Sequence, residues 1–288
     1  MQTSKLLSSD MVAPASLPLL QVDAFTRNPF GGNPAAIVFL DRERETAWLQ
    51  AVAGEMNLSE TAFLLRRGAN HFGLRWFTPA VEVTLCGHAT LASAHALWST
   101  GRAEAGAPIV FDTLSGPLTA RPGTARPGHD GTITIDLPLR PVTPAPLPAG
   151  VQAALGVTPI AVHAARKGPG DTDFIVEVAD ESAVVAAKPD MGPLQQIDGG
   201  VILTARASTP GVDFVSRYFV PAFGIDEDPV TGSAHCALAP YWAERLGRTS
   251  LTARQVSKRG GTLQVTLDGD RVHLTGHAVT VLSGELIA

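Results

Sequence analysis

The chain has 288 residues with 22 basic and 27 acidic side chains, a formal net charge of −5, and no basic run longer than Arg66-Arg67. That balance argues against nucleic acid and anionic membranes as partners. No 18-residue apolar run occurs and the first 20 residues lack a signal-peptide core, so a soluble, cytoplasmic protein is expected, with residues 1–17 a loose extension.

From Leu19 two strand-like runs, Leu19–Phe25 and Ala35–Leu40, flank the breaker segment Asn28–Pro34 and read as a hairpin with an elaborate loop. Glu45–Met56 places Trp48, Leu49, Val52, Ala53 and Met56 on one helical side and should end near Asn57. Leu58–Thr61 then turns a corner, carrying Glu60, into the strand Ala62–Leu65. After the strand Phe72–Phe77 comes Ala89–Trp98, a helix apolar on nearly every face and therefore internal. Strands at Ile109–Phe111 and Gly116–Ala120, a Pro/Gly-rich loop over Arg121–Gly131 and the alternating strand Thr132–Leu137 complete this half. Five prolines between Pro138 and Gly150 mark a linker. Beyond it, helices at Val151–Leu155 and Glu181–Ala187 and strands at Phe174–Val178 and Val201–Ala205 lead to a second special turn. The chain closes with strands at Leu263–Leu267, Val272–Leu274 and Val279–Leu282.

The two turns are twins. Phe77-Thr78-Pro79-Ala80 and Phe219-Val220-Pro221-Ala222 lie 142 positions apart, and each leads into an alanine-rich helix. The second helix, from Ser233 to Ala239, should be kinked or interrupted by Pro240. The duplication divides the chain into two similar domains, residues 18–140 and 141–278, with 279–288 a candidate to complete the first. At both helix starts small residues, Gly87 and Gly232-Ser233, leave backbone N–H groups open to a carboxylate or phosphate. Facing each other across a cleft, the two ends would hold a small anionic molecule, with His88 and Asp228 at matching places beside it.

Taken by themselves these side chains have plain alternatives. Glu60 reads as an ordinary exposed glutamate, His88 as a turn cap, Glu227 and Asp228 as loop acids, and His95 and His235 as core or rim residues. Cys86 and Cys236 read as buried free thiols in a reducing compartment. Zinc spacings are missing, so no metal is expected; no Gly-x-Gly-x-x-Gly or Walker loop occurs, and four lysines offer few pyridoxal anchors, so no cofactor is expected either. Chemistry would then fall to acids, bases and backbone dipoles, which suits proton removal at one position and return at another.

Val22-Asp23-Ala24-Phe25, Gly32-Asn33-Pro34, Met56–Phe63, Phe77-Thr78-Pro79, Cys86–Thr90 and Asp226–Ala234 together closely resemble the PhzF (phenazine biosynthesis-like) family, in order and over nearly everything from Leu19 onward. The resemblance implies an α+β, diaminopimelate epimerase-like fold: two pseudo-symmetric domains, each a curled, mostly antiparallel sheet around a central helix. It implies that Glu60 is the main acid/base, that His88 and Asp228 orient the substrate and its migrating proton, and that Asn33, Gly87, Thr231, Gly232 and Ser233 contact the substrate. The implied reaction is a cofactor-independent isomerisation of a small carboxylate-bearing molecule by a homodimer. The alternatives are an amino-acid epimerase or racemase, for which Cys86 resembles one thiol of a two-thiol pair, and a non-catalytic binding member of the fold.

Overall fold

A computed structural model describes residues 16–123, 131–168 and 171–287. The first half runs β1 (Ser16–Ala24), β2 (Asn33–Leu40), α1 (Thr46–Met56), β3 (Glu60–Arg66), β4 (His71–Phe77), β5 (Glu82–Val83), α2 (Gly87–Ser99), β6 (Ile109–Thr113), β7 (Gly116–Pro122) and β8 (Ile133–Pro138). The second runs β9 (Val142–Pro144), α3 (Val151–Leu155), β10 (Ala161–Gly168), β11 (Asp171–Glu177), α4 (Glu181–Ala186), α5 (Met191–Leu194), β12 (Val201–Arg206), β13 (Phe214–Val220), β14 (Ile225–Asp228), α6 (Gly232–Leu246), β15 (Ser250–Gln255), β16 (Gly261–Asp268), β17 (Arg271–Gly276) and β18 (Ala278–Ile287).

Strand pairing repeats itself. The order β18-β1-β2-β3-β4-β6-β7-β8 in one half matches β9-β10-β11-β12-β13-β15-β16-β17 in the other. Even the parallel steps coincide, β2/β3 with β11/β12 and β4/β6 with β13/β15, in an otherwise antiparallel arrangement. Antiparallel pairing of β8 with β17 joins the two sheets. The C-terminal β18 returns to the first half and pairs with β1 from Ser16↔Ile287 to Ala24↔Ala278. This is the α+β architecture expected from the family resemblance.

Alternation explains the sheets. In β8, Ile133, Ile135 and Leu137 are buried while Thr134 and Asp136 are partly exposed, the period-2 signature of a strand with one face on a core. That core is α2, whose small side chains, Ala89, Ala92, Ala94 and Ala96, are fully buried and let the sheet close around it. A single apolar cluster continues from α2 through Leu137, Val272 and Leu274 to α6. Outer layers lie on the opposite sheet faces: Leu49, Val52 and Ala53 of α1 against Val38 and Phe63, and Val184 of α4 and Leu194 of α5 with Val176, Leu203 and Phe219.

Three sequence expectations change. Pro240 does not interrupt α6, which continues unbroken to Leu246. Proline removes the N–H that would bond the Cys236 carbonyl, and the backbone N–H of Arg140 takes that place at 3.1 Å. The proline-rich linker contains a short strand, β9, whose residues pair with β10 from Val142↔Ala165 to Pro144↔His163. Ser16 and Leu17 of the expected N-terminal extension already belong to β1. Residues 1–15 of that extension, and 124–130 of the Pro/Gly-rich loop, lie outside the described residues.

Glu181, in the first turn of α4, pins the turn after β12. Its carboxylate accepts from Ser208 N and Oγ (both 2.7 Å) and from Thr209 N and Oγ1 (3.0 and 2.8 Å). The Ser208 hydroxyl bond leads the contributions that pull Glu181 down to about 2, against a smaller opposing effect of burial. A lowered folded-state value stabilises the fold above the unfolded value of 4.5, and that contribution is lost as pH falls toward about 2. The urea midpoint should therefore drop between pH 5 and pH 2, and Glu181→Gln should flatten part of that slope. Because the side chain is solvent-screened, the effect should be small.

Candidate active site

Two matching salt bridges set the turns that deliver the helices. Arg75 on β4 forks onto Glu82 of β5 at 2.7 and 2.7 Å, and Arg217 on β13 forks onto Glu227 of β14 at 2.7 and 2.9 Å. Such bidentate pairs fix geometry as well as charge. Glu227 is thereby committed to its turn, whereas its neighbour Asp228 points inward and is 6% exposed.

The strand register corrects the matching of His88 with Asp228. Trp76↔Val83 and Tyr218↔Asp228 are equivalent pairs, so the counterpart of Asp228 is Val83. The 3-10 turn Pro221–Phe223 and Gly224 lengthen the second connection. The offset grows from 142 at the strands to 145 at the helices, Gly87 matching Gly232 and His88 matching Ser233. The cap residues Cys86 and Thr231 then correspond, and their carbonyls are bound alike: Thr90 Oγ1 donates to Cys86 O (2.5 Å), and His235 Nδ1 to Thr231 O (2.7 Å). Burial pushes His235 down to about 4, in keeping with a neutral core residue.

The two helix starts meet. A methyl on Gly87 would lie 2.8 Å from the Gly232 Cα, and one on Gly232 would lie 2.7 Å from the Gly87 Cα. Only glycine at both positions allows this approach. Helices of 13 and 15 residues thus bring the positive ends of their dipoles to one spot, with their first N–H groups free of intrahelical partners.

Beside that spot lies a chain of polar side chains from both halves. Glu60 opens β3, paired in register with Ala35, and its Oε2 is 3.0 Å from Nε2 of His88. The two atoms are close but out of line for a hydrogen bond, and both remain without one. His88 Nδ1 is 3.0 Å from Asn33 Nδ2 and 3.5 Å from Cys86 Sγ. Asn33 Nδ2 also donates to Asp228 Oδ1 (2.8 Å) and to the Val230 carbonyl (2.9 Å). Thr231 Oγ1 donates to Asp228 Oδ2. Gln255, fully buried at the end of β15, donates to the Asp228 carbonyl (2.6 Å) and accepts from Thr231 N (2.9 Å), with no motif in the sequence to announce it. Ser233 is half-buried in the first turn of α6, and its carbonyl accepts from Arg140 Nη1 at 3.3 Å.

Burial is the main influence on these acids. It raises Asp228, helped by the Glu60 charge and opposed by His88 and by the bonds from Thr231 and Asn33. It pushes the Cys86 thiol up to about 11, again with Glu60 adding, so the sulfur keeps its proton at neutral pH. Cys86, His88 and Glu60 offer ligand atoms within 4.8 Å of one another. The sulfur, however, lies nearest Nδ1 and the carboxylate nearest Nε2, on different sides of the ring. Glu60 Oε2, His88 Nε2 and Asn33 Oδ1 lie buried here without a hydrogen-bond partner, as do atoms elsewhere such as Trp76 Nε1 and His235 Nε2.

Two equivalent halves, each wrapped on a buried helix whose N-terminus abuts the other, define a protein of the diaminopimelate epimerase-like fold. Within that class the chain belongs to the PhzC-PhzF, phenazine biosynthesis-like, family, whose model matches residues 22–284. A relative from Halalkalibacterium halodurans, named as an uncharacterized isomerase, is 46% identical over 272 residues, covering 94% of this chain and 98% of its own. A crystal structure of a PhzF-family phenazine biosynthesis protein from Enterococcus faecalis superposes with a TM-score of 0.82 at 40% identity, covering 94% and 99%. The fold alone is shared with a hydroxyproline epimerase from Agrobacterium vitis (TM-score 0.63, 14% identity, 94% and 92% covered). Relatives 46% identical over nearly the whole chain are named as isomerases, and this chain is an isomerase.

Substituting Gly232→Ala should drive the helix starts apart. We expect a loss of about 1–3 kcal/mol in stability from overpacking, together with weaker binding of small carboxylates at the junction. Urea titration and ligand-detected NMR would check both, and a variant as stable as wild type would show that the junction yields easily.

Proposed function

We propose that the protein is a cofactor-independent isomerase that moves a proton within a small carboxylate-bearing molecule held between the two halves. The observation that carries this reading is the Glu60–His88 contact, at 3.0 Å, beside the junction of two helix N-termini. The substrate carboxylate sits at the helix ends, where the N–H groups and dipoles favour negative charge. Glu60 removes a proton from an adjacent activated carbon and returns it elsewhere on the molecule. His88 and Asp228 orient the substrate and the migrating proton, with backbone contacts from Gly87, Gly232 and Ser233. Developing negative charge on the carbon acid is met by the same helix ends, which are already in place and need no reorganisation.

A two-thiol epimerisation fits less well. It needs a base on each face of the carbon, and the residue matching Cys86 in the second half is Thr231, whose hydroxyl is turned to Asp228. Cys236 lies inside α6, fully buried, with its thiol pushed up to about 12 by burial. The family resemblance also supports a homodimer, which light scattering on the purified protein would test.

The decisive experiment is deuterium incorporation from D₂O into a panel of unsaturated cyclic acids and amino acids, followed by NMR. Wild type should label one class of acid, and Glu60→Gln should lower the rate by at least about 100-fold, the scale of a positioned general base. Undiminished labelling with Glu60→Gln would remove Glu60 from the role. Inertness of the wild type toward the whole panel, with binding retained, would favour a carboxylate-binding protein.

A further inference from the structure

Asn33 is fully buried at the first residue of β2, and its side chain touches both halves of the molecule. Three groups surround its Nδ2: His88 Nδ1, Asp228 Oδ1 and the Val230 carbonyl, at 3.0, 2.8 and 2.9 Å. A carbonyl can only accept, so Val230 fixes which way the amide faces, with nitrogen inward and oxygen away. One N–H goes to Val230, and the other is shared between Asp228 and the imidazole.

The side chain cannot turn over freely. Its strand is locked in register, Ala24↔Asn33. The loop before it is clasped by Arg259 of the second half, which donates to Gly32 O, Gly31 O and Asp23 Oδ1, each at 2.8 Å. The other neighbour of His88 Nδ1 is the Cys86 sulfur, a protonated thiol at neutral pH. Of the two groups facing Nδ1, the amide nitrogen can only donate, and the thiol can donate as well as weakly accept.

We propose that Asn33 is a positioning residue that holds His88 as a neutral ring with its proton on Nε2, toward Glu60, and that couples this choice to Asp228 in the other half. Charge alone pulls the other way: burial opposes a second proton on the ring, while the Cys86 sulfur and the Glu60 carboxylate favour one and together outweigh it. The sulfur's share requires a thiolate, which the thiol is not at neutral pH. A proton on Nδ1 would also set two N–H groups against each other at the 3.0 Å separation from Asn33. In the proposed state the fixed amide donor at Nδ1 outweighs the remaining pull of Glu60.

The consequence rests on the proposed proton shift. With Nε2 already protonated and Nδ1 blocked, His88 faces Glu60 at 3.0 Å with no free nitrogen to take a proton from it. The proton taken from the substrate stays on Glu60 until it is returned. With Nδ1 protonated instead, Nε2 would accept from Glu60 and carry the proton away from the substrate.

The tautomer can be read without a substrate. In protein labelled with ¹⁵N-histidine, long-range ¹H–¹⁵N correlations at pH 7 distinguish Nε2–H, Nδ1–H and doubly protonated rings, and His88→Gln assigns the His88 signals. Wild type should show a neutral ring with the proton on Nε2. Asn33→Asp, nearly isosteric, places an acceptor at Nδ1 and should give a doubly protonated ring; Asn33→Ala should populate both neutral tautomers. In both variants Glu60-dependent exchange should fall at least tenfold with circular dichroism unchanged. A doubly protonated His88 in wild type, or an unchanged Nε2–H ring in the folded Asn33→Asp protein, would overturn the proposal. Should the variants fail to fold, the wild-type spectrum still decides the tautomer. Because the spectrum needs no turnover, an inert protein with the expected tautomer would remove the isomerase reading and leave the role of Asn33 standing.

Discussion

Two helix N-termini pressed together at Gly87 and Gly232 are the constraint on which the structure depends. Like ends of two dipoles repel, and the arrangement also leaves N–H groups of both first turns without intrahelical partners. The surrounding fold holds them there. Each sheet curls around its own helix, β8 pairs with β17 beside the junction, and one apolar cluster runs through both cores. The backbone N–H groups of the two first turns thus bring the positive ends of both dipoles to one site. A substrate carboxylate bound there, as proposed, would offset the repulsion and link binding to strain at the same atoms.

The duplicated halves have kept their scaffolding and divided their chemistry. The forks Arg75–Glu82 and Arg217–Glu227 are retained in both, and so are the cap bonds to the Cys86 and Thr231 carbonyls. At the reacting positions they differ. Val83 stands where the second half has Asp228, and Ser233 where the first has His88. The pairs Ala62↔Trp76 and Ile202↔Tyr218 are equivalent, so the place of Glu60 falls to Gly200. A methyl there would lie 2.4 Å from the Tyr218 ring. Tyr218 donates instead to Asp173, which Arg140 also binds, making a buried structural network where the first half has Glu60. Glu60 and His88 come from one half and Asp228 from the other, so the cluster exists only while the halves are joined.

Asn33 and the Arg259 clasp show how that joining is made specific. Asp23 is fully buried yet doubly engaged, by Arg259 and by the Phe30 backbone N–H at 2.7 Å. Breaking one partner of such a pair leaves a buried charge uncompensated. The loop leading into Asn33 is therefore held to the second half by an ion pair whose carboxylate is fully buried.

Much of this was written in the local pattern. The alternation of β8, the all-round apolar character of α2 and the repeated Phe-x-Pro-Ala turn determine strands, a buried helix and a duplication, because side-chain period and turn chemistry act over a few residues. Motif order in turn carries the family. Other features were invisible along the chain. The fate of Pro240 depended on an N–H from Arg140, a hundred residues earlier. The true partner of His88 in the repeat depended on a turn that lengthens the second copy. Gln255 and the shared amide of Asn33 acquire meaning only from what they face. Sequence alone determined which pieces form, since propensity and periodicity are local. Only the tertiary structure decided which polar atoms meet and which are left open, because burial and hydrogen-bond geometry are properties of groups brought together from distant positions.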